Sequence, residues 1–345
     1  MRDPPEPERA EPHRHSSAFA AALRQEATTL GFGDVRFADA RAGTPAERFR
    51  AFIARGSHAS MGWLADSEAT RTDPARILPS VLSVAVLRLD YGGAVPPSPG
   101  PGFGRVASYA WGRDYHNVIG RKLRKLQSRL SLAFPDVRTY ASIDSRPVWE
   151  RAWAEAAGIG YAAKNGCVLT PSQGSYYFIA TLLLTVAVEP NPRVPPKCGA
   201  CKRCLVACPT EALPGDGSVD VPRCISYLTI EEPGPIPVDL RTKLGDWVFG
   251  CDVCQEVCPH VAEERLSELQ PHNAWLDLVA VLHADDEWLT AVTTGTPLRR
   301  AAPIRLKRNA CIVLGNQGFG RAALLRAREH PNEVVAEAAE WALGR

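Results

Sequence analysis

The chain has no apolar run approaching the ~20 residues that a membrane-spanning helix needs. Its longest candidate, Tyr176 to Val188, is interrupted by Thr181 and Thr185, and reads as one or two buried strands. The first fifteen residues are charged and proline-rich, with neither an apolar core nor a twin-arginine pair, which argues against an export signal. Residues 1–17 therefore read as a disordered tail. Charge of one sign is also missing: 40 Lys+Arg stand against 38 Asp+Glu, a net charge of +2. No global field announces a nucleic acid or a membrane, so such a partner must be argued from local charge. These absences leave a cytoplasmic protein with no membrane partner. Its 345 residues, 45% hydrophobic, are enough for two or three domains with a substantial core.

Cysteine, by contrast, is plentiful. In a reducing compartment ten cysteines indicate metal ligation more than disulfides. Cys198, Cys201, Cys204 and Cys208 follow C-x2-C-x2-C-x3-C-P, ending at Pro209. In that bacterial ferredoxin pattern three thiolates hold one [4Fe–4S] cubane and the fourth reaches a second. Cys251, Cys254 and Cys258, before Pro259, form a second run that lacks its own first cysteine; Cys224, between the two runs, is the substitute. The assignment then closes, with Cys198, Cys201, Cys204 and Cys258 on one cluster and Cys208, Cys224, Cys251 and Cys254 on the other. Thiolate suits iron–sulfide bonding because it is soft. Paired C-x2-C motifs also suit zinc ribbons, but zinc does not require two such CP-ended runs. Cys311 reads as a small core residue, and Cys167 as packing in a neighbourhood that looks functional.

The predicted organisation is α+β. Residues 18–190 alternate helices and strands as an α/β domain. Its strands are VRFADA, VLSVAVLRL and RTYASID, its helices end at Gly31 and Gly158, and GGAVPPSPGPGFG (Gly92–Gly104) is a loop. Residues 191–265 form a ferredoxin-like two-cluster module. Residues 272–345 show helical periodicity and no strand signal, resembling HEAT-type repeats. Thr296 to Arg328 holds eight Lys/Arg and no Asp or Glu, a local polyanion footprint. Arg299, Arg300, Arg305, Lys307 and Arg308 lead it, followed by Arg321, Arg326 and Arg328.

Several segments together resemble the epoxyqueuosine reductases. They are SYAWGRDYH (108–116), SIDSRPVWERAWAEAAGIGYAAKN (142–165), GSYYF (174–178), the cluster block with RCISYLTIE (223–231), and LKRNACIVLGN (306–316). The resemblance runs from about residue 20 to the end. One departure is Gly166–Cys167, where the family more often has a Thr-led sequence. The resemblance implies base-off cobalamin beside the nearer cluster, an external electron donor, and reduction of an epoxide on the modified wobble guanosine of tRNA, presented on the anticodon stem-loop. It also implies that Asp144 is the proton donor, with a pKa raised by burial; the alternative is that Asp144 or Ser145 caps the helix after Pro147. By position in the same motifs, Lys164, Asn165, Val168 and Ser226 would contact the corrin, while Tyr109, Arg113, Asp114 and His116 would line the pocket, His116 as a hydrogen-bonded residue rather than a cobalt ligand. The basic helices would hold tRNA phosphates, and a monomer is expected. The competing readings are a reductive dehalogenase-like corrinoid reductase of a small molecule, a ferredoxin-like electron carrier, and a helical-repeat RNA-binding protein with structural clusters.

Overall fold

The run around Val84–Leu89 is apolar at nearly every position, as expected of a strand covered on both faces. The computed structural model describes residues 12–42, 46–91, 95–260 and 273–345. Nine strands are found among the described residues: β1 (Asp34–Asp39), β2 (Ser83–Asp90), β3 (Phe103–Val106), β4 (Thr139–Ser142), β5 (Tyr161–Ala162), β6 (Val168–Leu169), β7 (Tyr177–Leu184), β8 (Trp247–Phe249) and β9 (Trp275–Asp277). The main sheet has the order β1-β2-β7-β4. Its three pairings are all antiparallel, with Asp34 opposite Arg88, and Leu184 opposite both Ser83 and Thr139.

On one face, Phe19, Leu23 and Ala27 of the helix Pro12–Thr29, with Ile119, Leu123 and Leu126 of the helix Tyr115–Ala133, pack on Phe37, Leu87 and Leu182. On the other, Trp153 and Ala154 of the helix Glu150–Ala156 pack on Val84, Val86 and Leu183. Each fully buried Leu or Phe in these layers contributes about 1.5–3 kcal/mol. The mixed helix–sheet class stands, but the α/β reading of residues 18–190 is corrected by the antiparallel pairing. Two-sided coverage gives antiparallel strands the continuous apolar look of parallel ones, and alternation along the chain carries no strand direction.

A second sheet, ordered β8-β3-β9, joins all three expected domains. β3 runs parallel to β8 and antiparallel to β9. Thus Phe103 and Gly104, expected in a loop, are strand, and the C-terminal segment, expected to lack strands, supplies β9. Strands of three or four residues are too short to show a period. Beneath this sheet Val106, Trp111, Leu228, Phe249, Leu278, Ile312 and Val335 share one core, so the expected domain boundaries divide the chain but not its packing. The C-terminal segment adds the helices Leu278–His283, Asp286–Thr293, Ile304–Gln317, Arg321–Ala327 and Glu333–Leu343.

The expected tail is shortened: a helix begins at Pro12 rather than after residue 17. Proline is compatible with a first helical position, and nothing from His13 to Ser17 breaks the helix. Residues 1–11 of that tail, 92–94 of the expected loop, 261–265 of the cluster module and residue 272 lie outside the described residues. No helix among those described is long and apolar enough to cross a membrane.

Candidate active site

Three main-sheet strands deliver aromatic or acidic residues to one region. Asp144 lies two residues beyond β4, Tyr91 follows β2, and Tyr177 and Phe178 begin β7. Together with Phe49, Trp63 and Trp149 they line a cavity of about 800 Å³. Asp144 is at its mouth, with 65% of its side chain accessible.

Asp144 has φ +50°, a left-handed conformation that costs an L-residue about 1 kcal/mol or more, and that Asp tolerates better than most. Hydrogen bonds hold it there. The Asp144 N–H donates to Glu150 Oε1 at 3.0 Å, and Ser142 Oγ donates to the same oxygen at 2.7 Å. Tyr115 donates its hydroxyl proton to Asp144 Oδ2 at 2.5 Å. His116 Nε2 lies 3.5 Å from that oxygen, while Nδ1 lies 2.7 Å from Asp114 Oδ1. Asp114 also caps the helix Tyr115–Ala133 by accepting from the His116 N–H. The helix after Asp144 starts only at Glu150, with Trp149 at its cap position and no side-chain cap, so neither Asp144 nor Ser145 is capping it.

The electrostatics correct one expectation. The protein around it partly desolvates Asp144 and raises its pKa, although the side chain reaches water. His116 and the Tyr115 hydroxyl outweigh this and hold the carboxyl below its ordinary range. Burial disfavours the His116 imidazolium, yet Asp114 and Asp144 overcome this and push it up to about 9. At neutral pH the proton in this group therefore sits on the imidazole, facing an ionised Asp144. Glu150, behind the loop, is pushed up to about 7, chiefly by burial.

Of the other expected contacts, Tyr109 and Val168 line the cavity. Asn165 is buried, donating to the Cys254 carbonyl at 3.3 Å and accepting from the Cys167 N–H at 3.2 Å. Lys164 donates to the carbonyls of Gly199 and Cys201, at 2.7 and 3.1 Å. Both fasten cysteine runs rather than line the cavity. Ser226 neighbours Cys224, also outside the lining. Arg113 is corrected outright: it lies in a separate basic groove with Arg121, Lys122 and Lys125. Cys167 is in the cavity wall, its thiol pushed up to about 11 by burial. The preceding Gly166 has φ +78°, and a Cβ there would stand 2.7 Å from Val219 Cγ2. Cys311 is fully buried in the shared core.

The eight remaining cysteines influence one another in two neighbourhoods. The Cys204 thiol is raised by burial and then by Cys198 and Cys258, and Cys258 by burial and then by Cys198 and Cys201. Cys224 and Cys251 are raised by burial and also feel Cys208, while Cys254 feels Cys251 and Cys224 as well as Cys167. Among the described residues no three Cys, His, Asp or Glu converge tightly enough to hold a single metal ion. The second quartet adjoins the cavity. Ser108 N–H donates to Asp252 Oδ2 at 2.7 Å, tying the Cys251–Cys254 turn to the segment that carries Tyr109. Gly250 makes this approach possible: at φ +68°, a Cβ on it would meet that of Ala107 at 2.6 Å.

The basic C-terminal segment divides. Arg299 and Arg300 are exposed, although Arg300 pairs with Glu231 at 2.9 Å. Lys307, 4% exposed, pairs with Asp286 at 2.6 Å. Arg308 is fully buried and donates to the carbonyls of Leu228, Glu232 and Gly234; burial pulls it down to about 10. Lys307 and Arg308 are therefore corrected from surface cations to internal braces. Arg305 is half-buried and bonds the Arg300 carbonyl. Sequence reasoning missed Glu150 and Tyr115, although both lie inside segments it singled out. An acid in the first turn after the Asp144 loop was the available signal for Glu150. The groove around Arg121 was visible only as a basic helix.

The cysteine segment matches the 4Fe-4S double cluster binding domain over residues 197–261. A double-cluster binding segment beside a cavity walled mainly by aromatic and aliphatic residues, with Asp144 at its mouth, defines an iron–sulfur oxidoreductase. Residues 71–145 match the family described as Epoxyqueuosine reductase QueG, DUF1730. The chain is 38% identical over 311 residues to the epoxyqueuosine reductase of Gloeobacter violaceus, covering 87% of this chain and 97% of that one. It is 32% identical to the Escherichia coli enzyme over 339 residues, covering 95% and 89%. A crystal structure of an epoxyqueuosine reductase with an epoxyqueuosine-modified tRNA-Tyr stem loop superposes with TM-score 0.86 at 29% identity, covering 95% of this chain and 90% of that one. A Bacillus subtilis epoxyqueuosine reductase with its catalytic loop swung out of the active site superposes with TM-score 0.84, also at 29% identity, over 95% and 90%. The chain belongs to the epoxyqueuosine reductase family and is an oxidoreductase.

Proposed function

We propose that this enzyme converts epoxyqueuosine to queuosine at the wobble position of tRNA in the cytoplasm, acting as a monomer. The observation that carries the reading is the pairing of a double-cluster module with a cavity at whose mouth Asp144 and His116 share a hydrogen-bonded site. The reaction takes two electrons and two protons per epoxide and yields an alkene and water. Cys198, Cys201, Cys204 and Cys258 would hold one [4Fe–4S] cluster and Cys208, Cys224, Cys251 and Cys254 the other, which together would relay electrons one at a time from an external donor.

The cavity suits a corrin in two respects: its walls are largely aromatic and aliphatic, and one side adjoins the second quartet through Cys167. Cobalamin bound there, base-off, would supply a strongly reducing cobalt centre. Tyr109, Val168 and Cys167 would form its walls, while Lys164, Asn165 and Ser226 would act from behind by fixing the cysteine turns. Tyr115 and His116 orient Asp144, and the Asp144–His116 pair provides the proton that neutralises the opened epoxide oxygen. The C-terminal helices, read as HEAT-like, would present Arg299, Arg300 and Arg305 to the anticodon stem. The Arg113–Lys125 groove is a second phosphate-binding candidate. Loop bases are the accessible targets in RNA, and an unstacked base can enter such a cavity.

The test is turnover of epoxyqueuosine-containing tRNA by anaerobically purified, cobalamin-loaded protein, with nucleosides analysed by mass spectrometry. The expected product is lighter by one oxygen, and Asp144→Ala slows its formation by ~10²–10⁴-fold, the usual worth of a positioned general acid. Unconverted tRNA, with clusters and cobalamin verified as loaded, would refute the assignment.

A further inference from the structure

The two thiol quartets have different surroundings. In the second, Cys224 and Cys251 pack against the shared core, and Cys254 feels Cys167 of the cavity wall. In the first, Cys198 and Cys258 pack against the small cluster of Tyr161, Ala163 and Leu169, and the surface around them is basic. Arg193, Lys197, Lys202 and Arg203 are all exposed there, and the stretch 190–210 contains no Asp or Glu. In the middle of these cations Val206 is 84% exposed. It borders a shallow depression of about 700 Å³ floored by Val257 and Cys258. Glu256 also lines the depression but is paired with Arg105, so among the described residues Lys202 and Arg203 are the cations left free at its rim. An apolar residue left in water beside such cations is the pattern of a transient interface, with a small contact centre and a steering rim.

We propose that this face docks a small acidic carrier protein of the flavin or iron–sulfur class, which reduces the neighbouring cluster one electron at a time. The inference rests on the electron path described above and names its entrance. At each visit the reduced carrier loses one electron and the cluster gains it. Two visits supply the two electrons that, with two protons, turn the epoxide into alkene and water. Charge complementarity selects an acidic partner, because like charges across such a contact repel. Location also favours this face, since the cavity end of the module is where substrate must sit.

Docking can be separated from catalysis by following cluster reduction in stopped flow without tRNA, using an acidic [2Fe–2S] ferredoxin reduced beforehand and, in parallel, dithionite. For the holoenzyme the ferredoxin rate should fall steeply with salt. Lys202→Glu/Arg203→Glu and Val206→Ser should each lower the second-order constant about tenfold or more at low salt, with dithionite reduction within twofold of wild type. If those substitutions lower iron content, Arg193→Glu/Lys197→Glu, outside the ligand run, is expected to give the same selective loss. Titration of the oxidised ferredoxin should show binding weakened in the same variants. Wild-type ferredoxin rates in both double variants, or a loss of tRNA affinity in place of ferredoxin reduction, would overturn the docking assignment. Dithionite-driven conversion of epoxyqueuosine tRNA reports separately on the underlying activity.

Discussion

At the scale of single residues, the proton-donating group of the proposed reaction is a pair. Asp144 is held ionised by His116 and the Tyr115 hydroxyl, and His116 is held protonated by Asp114 and then Asp144. The proton available to the substrate is thus fully present below the ordinary imidazole value and lost as pH rises through about 9. Single-turnover rates with dithionite should be flat through neutrality and fall on that alkaline limb. In His116→Asn the limb should disappear and the rate at pH 7 drop ~10-fold or more; an unchanged profile would remove His116 from proton supply. Glu150 also has a raised pKa, with a consequence for folding. Its folded pKa of about 7 lies above the ordinary 4.5, so its stabilising neutral form is fully present below 4.5 and lost as pH rises through about 7. Glu150→Gln keeps an acceptor for Ser142 and Asp144 without the buried charge. It should raise thermal stability at pH 8, by at most about 3 kcal/mol, and leave it unchanged near pH 4.5. Because Glu150 fixes the left-handed Asp144 loop, Glu150→Ala should slow turnover while preserving tRNA affinity.

At the scale of elements, the helix Ile304–Gln317 illustrates what a sequence can and cannot disclose. Its LKRN start reads as a cationic patch because charge is usually solvated. Packing decides otherwise: Arg308 takes the carbonyl ends of the helix Ile225–Ile230 and the turn after it, and Asn309 donates to the carbonyls of Thr229 and Val248 at 2.7 and 2.9 Å. The helix thereby braces both segments that carry Cys224 and Cys251. Removing such a buried cation leaves carbonyls unsatisfied at a cost of roughly 1–3 kcal/mol each. Arg308→Ala should therefore lower the melting temperature and the iron content together, whereas Arg299→Ala should weaken tRNA binding without either effect. Calorimetry, iron assay and a tRNA filter-binding series distinguish these outcomes. The long strands β2 and β7 were legible because eight-residue apolar runs stand out against their polar flanks. β8 and β9, three residues each, do not, and they are the elements that merge the domains.

At the scale of the whole molecule, the double-cluster segment and the family were legible because fixed cysteine spacing and distinctive segments survive in one dimension. The hydrogen-bonded supports of Asp144, the exclusion of Arg113 from the cavity, and the antiparallel sheet were not, since each depends on contacts between distant segments. The same merging of segments has a consequence for metal loss. Cys224 and Cys251 pack against a core shared by β3, β8, β9 and the C-terminal helices, while the main sheet has its own two layers. Cluster binding energy is folding energy for the parts it joins, and regions with separate cores open separately. Chelation of iron should then speed hydrogen exchange at the amides of Ile225–Ile230 and Trp247–Phe249 at least tenfold. Amides of β2 and β7, buried between two intact layers, should keep their protection. Uniform loss of protection across both regions would mean that the main sheet also depends on the clusters, and that the shared core transmits their loss through β3 to the residues around Asp144.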